Sequence, residues 1–432
     1  MTQSKNKYAL QTTKQKAINS TLSNQIPNGY DLYCPAIWKQ LHLNTKGDVF
    51  PCCEWTDIYP FGVKNLTKDT RILQSRNDVI NGKIPKGCFK CVTNESNNLR
   101  SHRQDLIDML GIVDKEYVSK DKLDAGAIEY IDLRMGNTCN FMCNFCSPNN
   151  SHLIGKEYLA VKNFVIHDNV VRNFPLKERL KDSVSKTIND DITKQEFLSL
   201  IPSLTNLKVI KLGGGEPFFQ KKQLLDIIQK IPHKEKVTLR IITNCSVYDE
   251  EILQASNPFK EVSLALSVDA TKRALEISRW KSNWTSIKEN IDKFQKWKAY
   301  RNDRLSLSLI PTMSVYTILD LANLLEFASK QKIYTSVSFV SDPETQQINL
   351  INQKYLIKLK EKIQKQIVNG LIEKQSFNMD SVMAQLDHHI LNNETSKNII
   401  RSFWHYQKYF EANRNYRLEK ELPDVFRKIK KI

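Results

Sequence analysis

Residues 139–150 read CNFMCNFCSPNN, three cysteines in eight positions followed by a Ser-Pro-Asn-Asn turn. They come shortly after IEYIDLR, residues 128–134, an alternating apolar run that reads as a strand. The thiols of Cys139, Cys143 and Cys146 are thus spaced C-x3-C-x2-C on a loop at the carboxyl end of that strand, where α/β proteins build their sites. Three thiolates on a tight loop can hold three irons of a [4Fe–4S] cube, leaving the fourth iron without a protein ligand. A closed structural site wants four protein ligands, so an incomplete set leaves an exchangeable position for a substrate or cofactor. The competing reading is a three-cysteine zinc site completed by His152 or a distant residue.

Outward from this loop, the chain repeats strand, loop and helix. LKVIKL (207–212), VTLRII (237–242), VSLALSV (262–268), LSLSLIPT (305–312) and TSVSFV (335–340) read as further strands. Between them lie helical stretches such as QLLDIIQKI and NWTSIKENIDKFQKW, the latter with Trp284, Ile287, Ile291 and Phe294 on one face. Six β/α units in order predict an α/β fold, a parallel sheet open or curled into a partial (β/α)6 TIM-like barrel over residues 127–342. A helical extension follows over 343–432, with Leu356, Leu359, Ile363 and Ile367 on a stripe. The polar stretch 163–192 reads as a surface insertion rather than a lid.

Before the barrel, residues 1–28 are polar and read as a flexible tail, and residues 29–120 as a small α+β cluster-binding module. In that module LHLNTKGDVFPCC predicts a hairpin turning near Gly47, and TRILQSRNDVI a helix stopped by Gly82. The hairpin returns Cys52 toward Cys34, and the GCFKC knuckle supplies Cys88 and Cys91, enough thiols to close a four-ligand site. Either Cys52 or Cys53 fits the second position, and the metal is a second iron–sulfur cluster or zinc.

Composition narrows the class. The 432 residues carry 64 Lys and Arg against 47 Asp and Glu, a formal charge of +17, which suits an acidic partner such as nucleic acid. Much of the excess is lysine on amphipathic helices such as LIKLKEKIQKQI, where it keeps a face solvated, so nucleic acid is not the favoured partner. The polar start MTQSKNKYALQTTKQK and the lack of a long apolar run predict a cytoplasmic protein with no membrane association. Eight of the nine cysteines fall in groups, which without a secretion signal reads as metal ligation rather than disulfides.

CNFMCNFC resembles the signature of the radical SAM superfamily. The resemblance implies that the open iron chelates S-adenosylmethionine and that Phe145 stands where the family's backbone meets the adenine. GGGEPFF, residues 213–219, is similar to the family's Gly-Gly-Glu motif with Gly214, Gly215 and Glu216, whose carboxylate would accept hydrogen bonds from the ligand's ammonium group. TNCS departs from the usual Thr-Asn-Gly, putting Cys245 forward as a candidate catalytic hydrogen-atom donor or a small buried residue. In SVDA, Ser267 or Asp269 matches ribose-contacting positions, and in LEISRWKSNW, Arg279 matches a partner of the cofactor carboxylate.

The C-x12-G-x4-C run from Cys34, with the later C-x2-C, resembles the twitch domain, a shortened relative of the SPASM domain that carries an auxiliary cluster. Glu95, Ser101 and Arg103 after the second pair agree with it. The resemblance implies radical chemistry with that cluster as electron relay, a reductant such as flavodoxin or ferredoxin, and a peptide, protein or small-molecule substrate. An RNA- or nucleotide-modifying enzyme and a non-catalytic redox or scaffold protein are the alternatives.

Overall fold

Alternation of apolar and polar residues sets the architecture, because a strand with period two presents one row of side chains to each face of a sheet. The computed structural model describes residues 33–56, 70–96, 100–111, 127–160, 192–301 and 304–431. The tail at 1–28 lies outside the described residues, as does the insertion at 163–192 apart from its last position. The chain divides into two units, Met1–Leu41 with Phe50–Ala127, and His42–Val49 with Ile128–Ile432.

The strands in chain order are β1 (Gln40–Leu43), β2 (Val49–Phe50), β3 (Tyr130–Arg134), β4 (Met142–Cys143), β5 (Val209–Gly213) and β6 (Thr238–Thr243). There follow β7 (Glu261–Leu266), β8 (Arg279–Trp280), β9 (Leu305–Leu309), β10 (Thr312–Met313), β11 (Tyr334–Thr335) and β12 (Ser338–Phe339). The main sheet runs in the order β11-β9-β7-β6-β5-β3-β1-β2. From β3 to β11 every pairing is parallel, as helical crossovers require. This is the α/β core expected from the strand and helix periodicity.

Register makes the two faces chemically different. One row reads Leu133, Leu212, Ile241, Leu264, Leu307 across five strands, and the row two residues earlier reads Ile131, Ile210, Leu239, Val262, Leu305. All ten are buried. Each contributes roughly 1.5–3 kcal/mol of transfer free energy. The apolar stripes of the crossover helices are buried too: Leu224, Ile227 and Ile228 on Lys221–Lys230, and Ile287, Ile291 and Phe294 on Trp284–Tyr300. Trp284 is half-buried, edge-on to Phe327.

Two details differ from the sequence reading. LSLSLIPT does not stay in one sheet: β9 stops at Leu309, Pro311 has no N–H to continue the ladder, and β10 then pairs β12 in a separate two-stranded sheet. TSVSFV is likewise cut into β11 and β12. The second difference is the hairpin, whose tip, His42–Val49, groups with the barrel unit rather than with the cysteines that flank it. There β1 lies beside β3, covering an edge that would otherwise offer unpaired backbone groups.

The first unit keeps the predicted helix Thr70–Ile80, followed by Phe89–Ser96 and His102–Leu110. Ser101 caps the last of these in a reciprocal box with Gln104. In the second unit, the C-terminal helices Gln353–Val368, Met379–Leu391 and Lys397–Arg414 continue the packing, with Leu356, Leu359 and Ile363 buried and Ile367 half-buried. Among the described residues no helix is long and apolar enough to cross a membrane.

Candidate cluster and cofactor site

The cysteine loop leaves β3 and is folded by its own polar residues. Ser147 closes a turn through its carbonyl, which accepts from Asn150 and Ser151 at 2.9 and 3.0 Å. Ser151 Oγ donates back to the Phe141 carbonyl at 2.8 Å, and Asn137 to that of Pro148 at 3.1 Å. His152 Nδ1 accepts the Cys139 backbone N–H at 3.2 Å, which ties the ring to the start of the loop.

Cys139 and Cys143 are buried and Cys146 partly so, all as free thiols. Burial raises Cys139 to about 12, with Cys143 adding to the rise. Cys146 is raised further by burial, then by Cys143 and Cys139. Cys143 is raised by burial against the opposing pull of Arg279. Three thiols gathered in one dry loop ionise only beside positive charge, and ligation to iron supplies it. The residues fit an iron–sulfur cluster on this ground. Among the described residues no three His, Cys, Asp or Glu side chains converge on a position for a single metal ion.

The glycine motif packs on the same loop. Gly214 and Gly215 have φ of +81° and +55°, and a Cβ on Gly215 would lie 2.2 Å from the Thr138 carbonyl oxygen. These glycines therefore serve a close approach between two loops of the chain. Glu216 is fully buried and its carboxylate is already engaged. Oε1 accepts from Phe218 N–H at 3.1 Å and Thr243 Oγ1 at 2.7 Å, and Oε2 from Asn244 N–H at 2.6 Å. One lone pair of Oε2 remains for a further donor.

Asp269 and Arg279, expected to touch different parts of one ligand, pair with each other. Arg279 donates Nε and Nη2 to Asp269 at 2.6 and 2.8 Å, and Nη1 lies 3.8 Å from Cys143 Sγ. The pairing of β4 with β8 places Cys143 opposite Arg279, and the Phe145 ring lies 5.5 Å below the guanidinium. Ser267 is half-buried at the end of β7. Cys245 has φ +62°, the left-handed conformation that glycine usually takes, and its fully buried thiol points at the Ile287 carbonyl, 3.8 Å away. The structure places this candidate hydrogen donor against a helix, with no exposed sulfur.

Sequence reasoning missed two supports. Asn244 donates to Asn140 Oδ1 at 2.9 Å, Asn140 donates to Ser246 Oγ at 2.8 Å, and Asn244 Nδ2 is 4.0 Å from Cys139 Sγ. Its signal was the TNCS strand end, read only for its cysteine. The second is Arg414, which donates to Glu157 through Nε and Nη2, both at 2.9 Å, and to Asn144 Oδ1 at 2.5 Å inside the cysteine loop. Nothing local marks it, since Asn144 and Arg414 are 270 positions apart.

In the first unit, Cys34, Cys52, Cys88 and Cys91 line one cavity together with Trp55 and Arg103. Cys34 is raised by burial to about 12, Cys52 and Cys88 well above the ordinary thiol range by the same cause, and each of the three also feels another of the four. Cys53 does not line the cavity; its sulfur sits 3.8 Å from His102 Nε2. Glu95 accepts from Ser101 Oγ and from Arg103, whose Nη1 donates to the Tyr33 carbonyl at 3.0 Å, next to Cys34.

Residues 133–328 match the family model described as the radical SAM superfamily. This segment is a radical SAM domain, as the cysteine and glycine motifs implied. Its similar solved structures include native anSMEcpe with bound AdoMet, 15% identical over 62% of this chain and 68% of that one, with a TM-score of 0.38. SuiB of Streptococcus suis bound to S-adenosylmethionine is 11% identical over 72% of this chain and 65% of that one, TM-score 0.34. No curated protein matches the sequence.

Proposed function

We propose that the protein is a radical SAM enzyme in which Cys139, Cys143 and Cys146 hold a [4Fe–4S] cluster with one open iron for S-adenosylmethionine. Such a cluster would supply one electron from the reductant for cleavage of the cofactor's sulfonium, and with it the chemistry of hydrogen-atom abstraction from substrate. The observation that carries this reading is the set of three free thiols on one loop, two of them buried, with Arg279 turned toward Cys143. Arg279 offsets thiolate charge there and shapes the loop edge through β8. Gly214 and Gly215 let the second loop close on the first, and Glu216 offers its remaining lone pair to the cofactor ammonium. Ser267 and Phe145 flank the positions assigned to ribose and adenine. Cys245 has no role in this chemistry.

Cys34, Cys52, Cys88 and Cys91 hold an auxiliary iron–sulfur cluster in a twitch-like module at 29–120, ahead of a core at 127–342 and an extension at 343–432. The shared cavity favours Cys52 over Cys53. Four protein ligands leave no open position, which suits electron relay. The substrate is a peptide or protein, the reductant a flavodoxin or ferredoxin, and the compartment the reducing cytoplasm.

Anaerobic reconstitution with reductant tests the proposal. The wild type is expected to release 5′-deoxyadenosine, and Cys143→Ala to release none while keeping iron in the first unit. One zinc and about four irons per chain would refute the auxiliary cluster and leave the radical site standing.

A further inference from the structure

The face of the sheet opposite the apolar rows is polar and charged. In register across five strands it reads Asp132, Lys211, Arg240, Ser263 and Ser306. Neighbouring strands lie about 4.8 Å apart, so these side chains stand side by side. Asp132 is fully buried and paired: Arg134 Nε lies at 2.9 Å and Lys211 Nζ at 2.8 Å. Arg240, the next cation in the row, has no hydrogen-bond or ion-pair partner among the described residues, and its Nε is a buried donor with nothing to bond. A buried guanidinium nitrogen without an acceptor is costly and calls for an explanation.

The row two residues nearer the cysteine loop lies between Arg240 and the strand ends. That row holds Arg134 opposite Gly213, and Ala265 between Ile242 and Ser308. In that row Gly213 and Ala265 are small, Arg134 lies against Gly213 and Ile242 stands two residues ahead of Arg240, with the cations roughly 7 Å deeper along the strands. Arg134, Lys211 and Arg240 set three positive charges against two carboxylates on this face, Asp132 and, one row earlier on β7, Glu261. The face is therefore electropositive on the side that continues toward the thiol loop.

We propose that Arg240, assisted by Lys211, is a substrate subsite for an oxyanion, specifically the carboxylate of an acidic side chain or chain terminus. The assignment rests on the radical SAM reading for its placement within a substrate cavity. A planar guanidinium lacking a partner among the described residues matches a carboxylate fork, and one such mono-anion satisfies Arg240. Lys211 shares its charge with Asp132 and still has donors to offer. A substrate held this way reaches the site with its acidic group deep on the sheet and its reacting carbon nearer the strand ends.

The test uses the full chain, anaerobically reconstituted, with S-adenosylmethionine present. Labelling of Arg240 by phenylglyoxal is followed by peptide mass spectrometry with glutarate, inorganic phosphate or chloride added at equal ionic strength. Glutarate is expected to slow labelling most, and Lys211→Met to raise the protecting concentration roughly tenfold. Equal rates in all three salts would overturn the subsite, and stronger protection by phosphate would overturn the carboxylate assignment. The wild-type comparison decides both points even should the variant fail to fold. Iron content and cofactor binding are read on the same samples. Their loss counts against the radical reading, whereas intact values with no glutarate protection count against the subsite alone.

Discussion

Arg279 grips Asp269 with two nitrogens and turns the third toward the sulfur of Cys143, 3.8 Å away. Asp269 also accepts the Thr312 N–H at 2.9 Å, so one buried carboxylate joins the ends of β7, β8 and β10. Such a pair adds little net stability over apolar packing, but stranding either partner is expensive. Its effect here is to aim a cation at the thiol loop.

Asp269→Asn leaves that guanidinium short of charge compensation. The variant is expected to lose about 3 kcal/mol in urea unfolding and to retain less iron after reconstitution. A wild-type midpoint with full iron would show that the pair does not position the loop.

Gly215→Ala meets two obstacles at once, a left-handed backbone and the Thr138 carbonyl 2.2 Å from the new Cβ. The backbone alone costs about 1–2 kcal/mol, and the clash must push the two loops apart. Lower melting temperature together with weaker S-adenosylmethionine binding is the expected pair of changes; intact binding would detach the glycine loop from the site.

Glu216 makes stability depend on pH. Burial lifts its carboxyl from 4.5 to about 7, against the bonds from Asn244, Thr243 and Phe218 that lower it. The folded chain thus holds that proton more tightly than the unfolded one. The contribution is most favourable below the unfolded value and is lost as pH rises through about 7. Glu216→Gln in the metal-free protein should flatten the stability change between about pH 5 and pH 7.5. An unaltered slope would contradict the assignment.

Cys245→Gly should behave unlike Cys143→Ala. Glycine relieves about 1–2 kcal/mol of left-handed strain, offsetting the lost sulfur contacts, and cofactor cleavage should persist. Loss of substrate turnover with intact cleavage would restore Cys245 as a hydrogen donor.

Arg414 ties the C-terminal helix to the cysteine loop through Asn144 and to Glu157, which is itself nearly buried. Arg414→Met should cost about 3 kcal/mol, and adding Glu157→Gln should recover part of it because the stranded charge is removed. Strict additivity in this double-mutant cycle would mean the two side chains do not act together.

Much of the core was legible because it is written in short-range patterns. The period of two in IDL, VIKL, TLRII and SLAL dictates strands, and three thiols at C-x3-C-x2-C announce their chemistry whatever surrounds them. Breaks at Pro311 and the departure of the hairpin tip to the barrel edge were not legible. Both depend on which strand has a free edge, a property of the assembled sheet.

The sequence by itself determined the strand and helix order, the cysteine loop, the glycine loop and the family of the domain between residues 133 and 328. Tertiary structure alone decided who pairs with whom: Arg279 with Asp269, Arg414 with Glu157, Glu216 with the turn after β6, and Arg240 with nothing among the described residues. The reason is physical. Backbone periodicity is a local property of neighbouring residues, whereas the partner of a buried charge is chosen by whatever side chain the fold brings within a few ångströms, from any distance along the chain.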